Sequence, residues 1–224
     1  MKIVGFQKLT MVDYPGKMAC IIFTEGCNYR CPYCHNSLLV YEKSDYEMDE
    51  EEIFNYIDKR KGIIEGIVIS GGEPTLQKDL KEFLIKLRNY PISIKLDTNG
   101  SNPKIIKELI DNNLVDYIAM DIKNSIKKYP ITSAINKINT DNVLESINIL
   151  KKSKIDYEFR TTIVKELHDI EDIKEIRKLI GKSKYYIQNF RDNENVKYSN
   201  LHGFTDIELN EIKNNIDGAI IRGL

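Results

Sequence analysis

EGCNYRCPYCHN, residues 25–36, carries three of the chain's four cysteines: Cys27, Cys31 and Cys34, with His35 directly after the last. The spacing C-x3-C-x2-C sits in a polar loop containing Gly26 and Pro32, directly after the apolar run MACIIFT at 18–24. Three thiols in such a loop are not ordinary core residues, although cysteine is often buried. Cys20 is different. It lies inside the apolar run and reads as a small hydrophobe packed in a strand.

Several chemistries use clustered thiols. CPYCH (31–35) matches the haem-attachment pattern C-x-x-C-H, but that pattern leaves Cys27 without a role and belongs to exported proteins. Cys27, Cys31, Cys34 and His35 together make a Cys₃His zinc set, although neighbours at 34 and 35 point in different directions. A disulfide is disfavoured where thiols stay reduced. A [4Fe–4S] cluster normally takes four cysteines. With three it keeps one iron open, which is what a metal site needs when a small molecule must bind it directly.

Working outward, short β-branched runs alternate with segments of helical spacing. MACIIFT (18–24), GIVIS (66–70), ISIKLD (92–97), YIAMD (117–121), YEFRTTIV (157–164) and KYYIQNF (184–190) predict buried strands. The spacing predicts helices over 48–60, 76–90, 102–113, 140–153 and 169–181, with Pro103 in a first turn and Gly181 at an end. Strands alternating with helices imply βα units and a parallel sheet. Six units fall short of an eight-unit barrel, so the expected fold is α/β, a partial (β/α)6 TIM-like barrel. It forms one domain over 1–224 with a core at about 17–190, a final helix at 205–216 and a short strand at 219–223. The loops after the later strands look short except for 123–139, and no long lid is expected.

The chain has 224 residues and a net charge of −1 from 33 basic and 34 acidic side chains. That balance argues against a general nucleic-acid binder. No apolar run approaches the roughly 20 residues of a membrane span, and the N-terminal stretch lacks the features of a secretory signal. The expected location is the cytoplasm, without nucleic-acid or membrane partners.

CNYRCPYCHN resembles the signature of the radical S-adenosylmethionine enzymes. The resemblance implies that Cys27, Cys31 and Cys34 hold a [4Fe–4S] cluster whose open iron chelates the methionine part of S-adenosylmethionine. Other motifs fall at predicted strand ends, the face where barrels build active sites. SGGEP (70–74) is similar to the segment that binds the methionine amino group, through Gly71, Gly72 and Glu73. Read alone, it is a strand-to-helix turn whose glycines admit close backbone approach. DTNG (97–100) and MDIK (120–123) are similar to segments of the glycyl-radical-enzyme activases. Carried over, Asp97, Thr98 and Asp121 hold a monovalent cation near the cosubstrate, and Lys123 contacts its carboxylate. Tyr33 matches an aromatic packed on the adenine, and on its own reads equally as a loop ring folded onto the core. Arg160 is a further charge on the same face, or an ion-pair residue. His35 and Asn36 complete a CHN ending suited to loop capping or, for His35, proton transfer. His168 and His202 carry no pattern.

From Gly5 to Phe190 the chain resembles most the activating proteins of the anaerobic ribonucleoside-triphosphate reductase. This implies a glycyl-radical enzyme as partner, with flavodoxin or ferredoxin as electron donor. One departure stands out. Pyruvate formate-lyase activases have a histidine just beyond the sixth strand, where this chain has NFRD with Arg191. The rival readings are a radical enzyme acting on a small molecule, like the 7-carboxy-7-deazaguanine synthases, and a non-catalytic zinc module.

Overall fold

The computed structural model describes residues 1–41 and 44–222. Eight strands form one sheet: β1 (Ile3–Thr10), β2 (Ala19–Thr24), β3 (Gly66–Gly71), β4 (Ser93–Thr98), β5 (Tyr117–Asp121), β6 (Asp156–Ile163), β7 (Tyr185–Asn189) and β8 (Ala219–Arg222). Their spatial order is their chain order, with β2 to β8 parallel and β1 antiparallel to β2. The helices are α1 (Ser37–Tyr41), α2 (Glu50–Lys59), α3 (Leu80–Leu87), α4 (Pro103–Asp111), α5 (Tyr129–Ser133), α6 (Thr140–Lys152), α7 (Ile170–Ile180) and α8 (Asp206–Asn215). This is the expected partial barrel: β1 and β8 are its two edges and do not pair with each other.

Strand alternation divides the side chains into two populations. Ile22, Ile67, Ile69, Ile94, Leu96, Ile118, Met120 and Phe159 pack outward against the helices in the main core, and Cys20 lies in that layer, fully buried. The opposite face carries a small apolar floor of Tyr14, Ala19, Ile21, Val68, Tyr117 and Ala119. Above this floor the same face turns charged. The helix ends carry the expected chemistry: Asp169 and Asp172 form a capping box on α7, Thr205 and Glu208 another on α8, and Pro103 opens α4.

Two expectations are corrected, and a third falls partly outside the described residues. Strand β1 was not foreseen. It is an edge strand with Gln7, Lys8 and Leu9 exposed, so it lacks the continuous apolar signature of the buried parallel strands. The final strand joins the sheet beside β7, but Gly223, placed in it from sequence, lies outside the described residues. The loop after β7 is long. Residues 190–204 form no helix or strand and fold across the cysteine loop. Phe190, with Val196 and Leu201, covers Tyr33 and Cys31 in a separate apolar cluster. His35 stacks on Phe190 with ring centroids 5.6 Å apart, and its Nε2 bonds the Arg191 carbonyl at 2.7 Å. Conversely, 123–139 is pinned. It contains α5, Tyr129 is fully buried, and the Ser133 carbonyl accepts from Arg30 N at 2.9 Å.

Candidate active site

The carboxyl ends of β2 to β6 and the loops beyond them enclose a cavity of about 400 Å³. All of the sequence-predicted positions line it: Cys27, Cys31, Cys34, Tyr33, Gly71, Gly72, Glu73, Asp97, Thr98, Asp121 and Lys123. Register explains the convergence. Parallel pairing of β2 with β3 sets Thr24 beside Gly71, β4 with β5 sets Thr98 beside Met120, and β5 with β6 sets Asp121 beside Arg160.

The cysteine loop is braced from both sides. Gly72 N donates to Thr24 O at 2.9 Å and Glu73 N to Gly26 O at 2.8 Å. A Cβ on Gly71 would lie 2.2 Å from Thr24 N, and one on Gly72 would lie 2.0 Å from Gly26 O. Gly71 also has φ +122°, a conformation that favours glycine. Both glycines are therefore required by the cysteine-loop backbone, whatever ligand approaches. Asn36 secures the same contact by donating to Gly71 O at 3.2 Å. Asn36 is thus a loop brace.

All three thiols line the cavity, although among the described residues no group of three or more Cys, His, Asp or Glu side chains is gathered closely enough to hold a single metal ion. Burial pushes Cys27 up to about 12 and Cys31 to about 11, and raises Cys34. A bound metal would compensate the charge of such buried thiolates, and Lys123 already opposes the rise at all three. Cys27 Sγ accepts from Tyr29 N at 3.4 Å and lies 3.8 Å from Asn99 Nδ2, the kind of hydrogen bond that tunes a cluster sulfur ligand. Tyr29 and Tyr33 also line the cavity, and their buried hydroxyls have no hydrogen-bond partner among the described residues. His35 is not part of this set. Its ring stacks on Phe190 and its Nε2 bonds the Arg191 carbonyl, and no Cys₃His group close enough to hold a single metal ion is assembled among the described residues. The donor chemistry, three thiols from one loop lining one cavity, is the kind a three-thiolate cluster would use.

Glu73 lines the cavity and also joins the two turns beside it. It is fully buried, and its carboxylate accepts from Thr75 N (3.1 Å), Thr75 Oγ1 (2.5 Å), Thr98 Oγ1 (2.8 Å) and Asn99 N (2.6 Å). Burial raises its pKa, and the four donors oppose that rise. Its acceptor capacity is largely used in tying the GGEP turn to the DTNG turn. Thr98 Oγ1 is committed too, donating to Glu73 and accepting from Gly100 N at 3.1 Å.

A chain of charges runs along the cavity wall. Arg160 Nε donates to Asp121 Oδ1 at 2.8 Å and its Nη1 to Asp97 Oδ2 at 3.3 Å. Lys123 Nζ donates to Asp121 Oδ2 at 3.1 Å. Burial alone would raise Asp121, but Arg160 and Lys123 outweigh it and hold its carboxyl at about 2. Burial would likewise lower Lys123, yet Asp121, with the nearby thiol and phenols, brings it well above its usual value. Lys123 stays charged, as a carboxylate partner requires. Arg160 lies at the centre of this network, joining Asp97 to Asp121.

Sequence reasoning missed two residues. Asn99 Nδ2 bonds Asn28 Oδ1 at 2.9 Å and approaches Cys27, and its backbone braces Glu73; its place in a plain Asn-Gly turn hid this. Lys95 is 1% exposed and ion-paired with Asp97. A lysine on the inward face of a buried strand was the available signal. Among the described residues no helix is long and apolar enough to cross a membrane.

Comparison with known proteins agrees with this geometry. The family model of the radical SAM superfamily matches residues 21–180. A protein of Methanocaldococcus jannaschii, provisionally named a glycyl-radical enzyme activating enzyme, is 38% identical over 97% of this chain and 94% of its own. The pyruvate formate-lyase-activating enzyme of Clostridium pasteurianum is 29% identical over 90% of this chain and 82% of its own. Among solved structures, a radical SAM methyltransferase from Sphaerobacter thermophilus superposes with a TM-score of 0.72 at 11% identity, over 96% of this chain and 68% of that one, a likeness of fold alone. The chain belongs to the radical SAM superfamily, with activating enzymes of glycyl-radical proteins among its relatives, and is an enzyme of that type.

Proposed function

We propose that this protein activates a glycyl-radical enzyme, with the anaerobic ribonucleoside-triphosphate reductase as its target. One observation carries the reading: every residue expected to hold cluster and cosubstrate lines the same cavity. Cys27, Cys31 and Cys34 are its cluster ligands. Held there, the cluster would supply the single electron needed for reductive cleavage of S-adenosylmethionine to methionine and a hydrogen-abstracting 5′-deoxyadenosyl radical.

The chain's own groups bind and orient. Lys123 meets the cosubstrate carboxylate through a charge-assisted hydrogen bond. Tyr33 offers an apolar ring for the adenine, and the carbonyls of the GGEP turn accept from the ammonium. The 190–204 segment covers the cysteine loop and limits water around Cys31. The cavity reaches Gln7 on β1 and Asp13 just after it, so it extends toward the open edge of the barrel. A protein segment bearing a glycine enters there. The electron comes from a flavodoxin or ferredoxin.

The test mixes cluster-loaded protein, reductant, S-adenosylmethionine and the candidate reductase without oxygen. A glycine-centred doublet in electron paramagnetic resonance is expected. Cosubstrate cleavage without that doublet, alongside turnover of a free small molecule, overturns the proposal in favour of a small-molecule enzyme.

A further inference from the structure

Activases that resemble this chain place a monovalent cation between Asp97, Thr98 and Asp121, but the residues present here do not fit one. Asp97 Oδ1 is ion-paired with Lys95, and its Oδ2 accepts from Arg160 at 3.3 Å and Ser70 at 3.5 Å. Asp121 gives one oxygen to Arg160 at 2.8 Å and the other to Lys123 at 3.1 Å. Thr98 Oγ1 bridges Glu73 and Gly100. Lys95, Lys123 and Arg160 thus stand against Asp97 and Asp121, already one positive charge in excess. A further cation at contact distance from these groups would be repelled.

Lys95 is the unusual member. It is 1% exposed, on the inward face of β4, beside Val68 of β3 and Tyr117 of β5 in the strand register. Both neighbours belong to the apolar floor. An ammonium there gives up most of its hydration, a cost repaid only by a well-placed anion. Asp97 is the one anion it meets among the described residues. Its charge therefore enters the cavity wall from below, through Asp97.

We propose that the Lys95 ammonium takes the place of a monovalent cation, so that this chain binds S-adenosylmethionine without potassium or sodium. Lys95 is a positioning residue, since it acts through Asp97 and does not line the cavity. The inference rests on the reading of the cavity as a cosubstrate site.

Two measurements test it, both without turnover. The first follows S-adenosylmethionine binding to the cluster-loaded protein by calorimetry, in potassium, in sodium and in choline chloride. For the wild type the same Kd, within about twofold, is expected in all three. For Lys95→Met, of similar length and no charge, binding in choline should weaken about tenfold or more, the scale of one charge-assisted hydrogen bond, and recover in potassium. The second titrates each protein with thallium(I), a potassium stand-in, by thallium NMR without cosubstrate. Site binding is expected in Lys95→Met and not in the wild type.

Potassium-dependent affinity or a thallium site in the wild type overturns the proposal. So does a folded Lys95→Met variant with neither cation dependence nor a thallium site. If Lys95→Met does not fold, the wild-type arms still decide. A wild type that binds no S-adenosylmethionine in any salt defeats the proposed function instead, and the thallium arm alone then judges Lys95.

Discussion

Glu73→Gln is nearly isosteric, yet it should be clearly destabilising. The carboxylate presents one oxygen to Thr75 N at 3.1 Å and the other to Asn99 N at 2.6 Å. Threonine hydroxyls can reverse their hydrogen bonds, but backbone amides cannot. An amide side chain has one oxygen, so in either orientation its NH₂ faces one of these two N–H groups. A buried donor left unsatisfied costs about 1–3 kcal/mol, while the lost charge assistance is offset by relief of the desolvation that raises the Glu73 pKa. The expected loss is ~1–3 kcal/mol, or ~2–12 °C in Tm for a chain of this size. Urea unfolding of cluster-free protein at neutral pH measures it as a fall in midpoint at unchanged slope. A change below about 0.5 kcal/mol would refute the reasoning. It would mean that Glu73 carries a proton in the fold, the state toward which burial pushes it.

Further predictions follow from the same geometry. Cys20→Ala should cost about 1–2 kcal/mol in stability and leave iron content unchanged, whereas alanine at Cys27, Cys31 or Cys34 should abolish cluster loading, read by iron and sulfide analysis. Gly72→Ala places a Cβ 2.0 Å from Gly26 O, so it should displace the cysteine loop and lower both Tm and iron loading; a fully loaded variant of wild-type stability contradicts the bracing role. Asp121 has a folded pKa of about 2 against 3.8 unfolded, so its contribution is present above the unfolded value and lost as pH falls toward 2. Discounted for its partly exposed carboxylate, that is ~1–2 kcal/mol, and it should be missing from the acid limb of Asp121→Asn. Lys123→Ala should raise the Kd for S-adenosylmethionine about 10- to 150-fold by calorimetry; an unchanged Kd reduces Lys123 to an ion-pair residue.

The inner strands were legible because each is a short β-branched run, and the convergence of the expected positions on one cavity because each follows such a run. What escaped depends on tertiary partners. β1 hides because one face of an edge strand is wet, leaving Gln7, Lys8 and Leu9 without a buried pattern. Glu73 reads as a ligand for an ammonium until Thr75, Thr98 and Asn99 are brought around it by pairing of β3 with β4. Lys95 is one lysine among many in the sequence, and only its inward register above an apolar floor makes it exceptional. The segment at 190–204 has turn-rich composition and no periodicity, so its cover over Tyr33 rests on Phe190, Val196 and Leu201, which no local pattern marks.

The central claim is that three thiolates leave one iron free for the methionine end of S-adenosylmethionine inside this cavity. Electron–nuclear double resonance on the reduced, cluster-loaded protein with cosubstrate labelled at the amino nitrogen (15N) and carboxylate oxygens (17O) tests it most directly. The account predicts hyperfine coupling of both labels to the cluster, absent when unlabelled cosubstrate is used. A reduced [4Fe–4S] signal that saturating labelled cosubstrate leaves without coupling to either label would contradict it.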